Sequence, residues 1–155
     1  VPAPDLDIGV SGELRAGVVC RSAHPLAARG RVAFKALLGY PIASTPLSDD
    51  VALNLVRHLG PGANPAQMVT IECEDVASLI ETVQHTDAIF LGIVKAAERG
   101  LRDGSLVEMR FVPGFSDKGR LALITLAGRT APPALAIFRR LIRERMGRDH
   151  PRQAA

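Results

Sequence analysis

Two side chains able to do nucleophilic or metal chemistry stand four residues apart in VVCRSAHPLA, the Cys20 thiol and the His24 imidazole. On one face of a helix such a pair can share a proton or clamp a metal ion. The surrounding residues argue against that face. LRAGVVC, Leu14 to Cys20, is a short apolar run of strand type, and Pro25 disfavours helical backbone at His24, so the two side chains are not expected to converge. Glu72, Glu74 and Asp75 form an acidic run, but acid/base carboxylates need an enclosing pocket; these read as surface and capping groups. Cys73 reads as a small buried hydrophobe. The remaining polar set is the hydroxyls of IASTPLSDD: Ser44, Thr45 and Ser48. No Gly-rich phosphate loop, nucleophile elbow or metal-ligand array occurs, and no cofactor is expected.

The elements that would hold these groups alternate along the chain. Pro41 to Ser44 reads as a strand, and in VALNLVRHLG the apolar Ala52, Leu55, Val56 and Leu59 fall on one helical stripe. Ser48 or Asp49 is positioned to cap that helix and Gly60 to end it. MVTIEC alternates Val69, Ile71 and Cys73 against Thr70 and Glu72, as a half-buried strand does. DVASLIETVQ is a second amphipathic helix behind an Asp75 cap, and DAIFLG is a buried strand. IVKAAERGLRDG reads as a helix fraying at Gly100 and ending by Gly104. LVEMRF alternates again, RLALITL is a strand, and Pro132 and Pro133 open a final helix with Leu135, Phe138, Leu141 and Ile142 on its apolar side. Strands and helices taken in turn predict an open α/β sheet.

Composition narrows the class. With 155 residues, 47% hydrophobic and 23% charged, the chain has the length and composition of one folded domain rather than a disordered segment. No window reaches the ~18 consecutive apolar residues of a membrane helix, and no secretory signal is visible. Two cysteines make no disulfide framework, so reduced thiols and a cytoplasmic location are expected. The net charge of +3 is concentrated in FRRLIRERMGRDHPR. It reads as a solvated helix face, because one Tyr and no Trp offer little surface for stacking bases.

Three stretches then carry a resemblance. VVCRSAHPLAARGRVAFKALLGYPIAS resembles the segment of LysR-type transcriptional regulators in which a strand ends at His-Pro-Leu-Ala before a short helix and a strand. TIECEDVASLIETVQHTDAIFLGIVKAAERG is similar to that family's strand, helix, strand, helix run. LVEMRFVPGF with KGRLALITLAGRTAPPALAIFRRLI is similar to its closing portion. The resemblance implies a two-lobed α/β effector-binding domain of periplasmic-binding-protein type, with its second lobe complete and its first lobe partial. Residues 1–23 would supply part of the first lobe and a crossing strand, 24–112 the second lobe, 113–147 the return crossing with the final strand and helix of the first lobe, and 148–155 a disordered tail.

The implied function is sensing: a small metabolite, an organic anion by preference, bound between the lobes to modulate transcription. Self-association as a homodimer or homotetramer is implied, as is DNA contact only through a helix-turn-helix domain outside these residues; no membrane partner is. The resemblance and the rule that ligands bind beyond the carboxyl ends of strands select two sheet edges. One is Ser44, Thr45, Pro46, Leu47 and Ser48; the other is Gly92 and Ile93, where glycine permits close backbone approach. Read without the resemblance, the hydroxyls serve equally as turn and cap groups. The alternative function is a small cytoplasmic α/β enzyme using Cys20, Cys73 or the acidic cluster.

Overall fold

Alternating burial along the strands builds the larger part of the fold in the computed structural model, which describes residues 5–113 and 118–146. The expected tail, 148–155, lies outside the described residues. The chain divides into two compact units, one made of residues up to Leu14 and from Lys118 onward, the other of Arg15–Asp117. The first strand, β1 (Leu6–Arg21), contributes to both.

In the Arg15–Asp117 unit a sheet runs in the order β4 (Val69–Glu72), β3 (Ile42–Ser44), β5 (Ile89–Ile93), β1, β6 (Leu106–Glu108). β3 is parallel to β4 and to β5, while β1 is antiparallel to β5 and β6. Successive side chains on a strand point to opposite faces, and both faces are covered. Val18 and Cys20, Ile42, and Ile89 and Leu91 face one core with Leu37 of α1 (Phe34–Leu37), Leu55 of α2 (Asp49–Leu59) and Met68 of α3 (Pro65–Met68). Val19, Ala43 and Phe90 face the other core with Leu79 and Val83 of α4 (Val76–His85). A strand buried on both sides reads as an unbroken apolar run, which is why IFL and IA carry no alternation. A two-stranded parallel sheet of β2 (Arg31–Ala33) and β7 (Arg110–Val112) adds Val32 and Phe111 to the first core.

In this unit two elements differ from the sequence reading. The segment IVKAAERGLRDG is not one helix: a 3-10 turn at Val94–Ala97 precedes α5 (Glu98–Asp103). Gly100 does not fray this helix but sits buried inside it, because the Leu106 side chain fills the place of a Cβ, 2.5 Å from its ideal position. The helix stops at Gly104, whose φ of 78° is the left-handed conformation glycine adopts freely. LVEMRF breaks into β6 and β7 at Met109, whose N–H donates to the Val18 carbonyl at 2.9 Å.

The other unit contains the first part of β1, the strand β8 (Lys118–Leu126) paired with it, and α6 (Pro133–Met146). β1 begins eight residues earlier than its apolar run. Asp5, Asp7 and Glu13 depress the strand signal there, and pairing supplies what propensity does not: Ala127 N–H donates to Asp5 O at 2.8 Å, and Lys118 meets Glu13 at 2.7 Å. Of the apolar side assigned to α6, Leu135 and Ile142 are half-buried, but Phe138 and Leu141 are about half exposed, at 51% and 48%.

Candidate functional site

Parallel pairing decides where the predicted site residues meet. Ala43 of β3 stands opposite Phe90 of β5, so the carboxyl ends of both strands share one edge of the sheet. There Ser44, Thr45, Pro46, Leu47 and Ser48 leave β3 beside Gly92 and Ile93. Ser44 is fully buried, and its hydroxyl donates to the Leu91 carbonyl at 2.9 Å. A buried hydroxyl left unpaired costs about 1–3 kcal/mol, so this bond is what accommodates serine at the strand end. Thr45 is half-buried, Pro46 exposed, and Leu47 packs partly into the core below.

Ser48 takes the capping position of α2, yet its hydroxyl makes no capping bond. Asn64 and Asp75, by contrast, do cap α3 and α4 with their side chains. The start of α2 therefore lacks a side-chain cap, and the helix dipole there favours a negative group. Asp49 and Asp50, in the first turn, partly offset that field. At Gly92 the space of a side chain is occupied from within: an ideal Cβ would lie 2.5 Å from Phe90 Cζ. Lys95, following β5, is paired with Glu98 at 3.2 Å.

The thiol and imidazole that open the chain's chemistry are set apart. Cys20 points into the first core, where burial pushes its thiol up to about 11, too high for a nucleophile at neutral pH. His24 is 2% exposed. Its Nδ1 accepts the Leu26 N–H at 3.0 Å, its Nε2–H donates to Asp87 O at 3.2 Å, and its ring lies 4.4 Å from that of Tyr40. Burial first of all lowers its pKa, and both ring nitrogens are occupied by structural bonds. Asp87 also holds Arg21 through its carboxylate, at 2.9 and 2.7 Å. Sequence reasoning missed both Asp87 contacts and the Ser44–Leu91 bond, since each joins residues far apart in the chain.

The acidic run does what a capping group does. Asp75 accepts from Ser78 Oγ at 2.6 Å and from Ala77 N–H, which hold its carboxyl below the usual range; Glu72 and Glu74 are exposed. Cys73 lies one residue past β4, half-buried rather than fully so, its sulfur accepting the Asp75 N–H at 3.3 Å. Among the described residues no three His, Cys, Asp or Glu side chains gather as a metal site. An open groove of about 680 Å³ lies elsewhere, between α4 and α5, with Glu81, His85, Arg99 and Asp103 on its exposed rim.

A family model of the LysR substrate binding domain matches residues 1–147. The chain belongs to the LysR substrate-binding domain family. Its curated relative, the SDS degradation transcriptional activation protein of Pseudomonas sp. (strain ATCC 19151), is 31% identical over 140 residues. That alignment takes in 88% of this chain, which spans 44% of the relative's length.

Solved LysR-family structures share the fold at lower identity. The regulatory domain of NMB2055 (MetR) from N. meningitidis aligns with 97% of the chain and 68% of its own, at 20% identity and a TM-score of 0.61. The AmpR effector domain of Pseudomonas aeruginosa gives 96% and 68%, 17% identity and 0.66. The AmpR effector binding domain of Citrobacter freundii gives 95% and 70%, 16% identity and 0.68. The α/β effector-domain fold expected from the resemblance is thus the fold of this LysR substrate-binding domain, and it is a regulatory domain rather than an enzyme. No helix among the described residues is long and apolar enough to cross a membrane.

Proposed function

We propose that this LysR-type effector-binding domain senses a small organic anion at the edge formed by Thr45, Pro46, Leu47, Ser48, Gly92 and Ile93, with Ser44 beneath them. The reading is carried by the family match over residues 1–147. It is supported in detail by the start of α2, which offers its positive end without a side-chain cap. The relative's name, which links it to SDS degradation, fits the same chemistry, since an alkyl sulfate is an organic anion. Binding shifts a conformational equilibrium of a cytoplasmic homo-oligomer, and the shift reaches DNA through a helix-turn-helix domain outside these residues. The second lobe of that sensor comprises residues 24–112 with the crossing part of β1 that ends at Arg21, and the first lobe takes the earlier part of β1 with β8 and α6.

Calorimetric titration of the full-length regulator with hexyl sulfate, hexanoate and hexylamine tests the ligand class. At least one anion is expected to bind, with Thr45→Ala weakening it about tenfold or more, as loss of a hydrogen bond to a charged group does. Binding of the amine alone, binding of neither anion, or anion binding indifferent to Thr45→Ala would overturn this class.

A further inference from the structure

Ser44 has been grouped with the residues that line the effector edge, but its own bonds assign it a different part. It is the last residue of β3, between β4 and β5, and it is fully buried. Its hydroxyl hydrogen is committed to Leu91 O on β5 at 2.9 Å. Its carbonyl accepts the Cys73 N–H, from the residue following β4, at 3.3 Å. From there the bonds continue: Cys73 Sγ accepts the Asp75 N–H at 3.3 Å, and Asp75 Oδ1 accepts the Ala77 N–H at 3.1 Å. A relay of hydrogen bonds, joined through Ser44, Cys73 and Asp75 themselves, therefore runs from Leu91 in the middle of β5 to the first turn of α4.

We infer that Ser44 is a positioning residue, a buried clamp that fixes the three parallel strand ends to one another and to the start of α4, and that it acts on the effector edge through their spacing rather than by touching ligand. Three observations support it. Beyond the ladder pairs of Ala43, Ser44 bonds to Leu91 of β5 through its side chain and to Cys73 after β4 through its backbone. Its side chain has no exposed surface to offer a ligand, whereas Thr45 next to it is half-buried and directly precedes the loop into α2. Short strands also need such a device: β3 has three residues and β4 four, so the ladder alone holds each by few bonds. A neutral hydroxyl-to-carbonyl bond in a buried site is worth enough to set which arrangement is populated.

The functional meaning rests on the reading of this edge as the effector site, but the clamp itself is measurable without ligand. Nuclear magnetic resonance on the isotope-labelled chain, comparing wild type, Ser44→Ala, Ser44→Cys and the control Val32→Ala, tests it. Val32 is a core residue of β2, away from the edge, and its truncation lowers stability without touching the clamp. Ser44→Ala should move the Leu91 carbonyl carbon and the Gly92 amide nitrogen, because the bonded carbonyl lies between them.

It should also speed amide exchange at Cys73, Asp75 and Ala77 by about tenfold beyond the control, while Leu79, deeper in α4, follows the control. Ser44→Cys keeps a side chain of similar size with a weaker donor, and should show the same pattern at smaller amplitude should the alanine variant not fold. Exchange that rises uniformly, as in Val32→Ala, or Leu91 and Gly92 signals that stay in place, would overturn the clamp. Neither outcome bears on whether Thr45 contacts effector, which the titration reads separately.

Discussion

At the scale of single residues, His24 shows how burial decides chemistry. Its Nδ1 accepts and its Nε2–H donates, so the buried ring is neutral, and a second proton would displace the Leu26 N–H. Tyr40, Asp87 and Arg21 surround it, but burial dominates and its pKa lies below the ordinary 6.5. For a base lowered in this way the unfolded chain binds more protons than the folded one. Stability is then complete above pH 6.5 and declines as pH falls from there toward the lower folded value. The carboxyls held below their usual range, Asp75 and Asp103, act only near and below 3.8, so the decline that begins at 6.5 belongs to His24.

Urea unfolding from pH 7.5 down to 5 should show the decline in the wild type and a flatter profile in His24→Gln; equal slopes would contradict the assignment. From the sequence, Pro25 was enough to show that Cys20 and His24 do not converge. The partner that fixes the ring, Asp87, was not legible, since only the folded sheet brings the turn before β5 to that loop.

Elements were legible where a single period governed them. α2 and α4 follow from their stripes, β4 from its alternation, and Gly60 and Gly104 from the positive φ each takes, 91° and 78°. Where tertiary contact overrides local preference the sequence was silent. Gly100 looks like a helix breaker and is instead a place for Leu106; the first half of β1 looks polar and is drawn into a strand by β8. Gly92 belongs to the same class. The Phe90 ring lies over it, and facing it across the ladder is Gly17, where an ideal Cβ would lie 2.6 Å from Val94.

Gly92→Ala must displace a ring that is 2% exposed, and overpacking of this kind costs about 1–3 kcal/mol. Adding Phe90→Leu should return part of that loss in denaturant unfolding, giving a favourable coupling energy between the two sites. Additive losses would show that the ring is not the obstacle.

For the whole molecule, the two units present different surfaces. In the Arg15–Asp117 unit the sheet is covered on both faces by helices. In the other unit Ile8, Ile124, Leu126, Ile137, Phe138 and Leu141 are all about half exposed. Large apolar side chains are thus left less covered in this unit than in the other. The effector-domain structures that match the chain also extend beyond the aligned part, with 68–70% of their lengths covered. The division into lobes and the placing of the effector edge came from the family resemblance and the strand-end rule together. Periodicity alone yields an α/β sheet and leaves Ser44, Thr45 and Ser48 as ordinary turn residues.

The proposed function places the effector at the edge by Thr45 and not in the groove between α4 and α5. Promoter-reporter induction by the full-length regulator, with DNA binding measured alongside, compares Thr45→Ala at the edge with Glu81→Ala at the groove. Thr45→Ala is expected to need about tenfold or more inducer while DNA binding is kept, and Glu81→Ala to respond as wild type, in line with the ~1–3 kcal/mol typical of such coupling. Normal induction in Thr45→Ala, or loss of induction in Glu81→Ala alone, would contradict it.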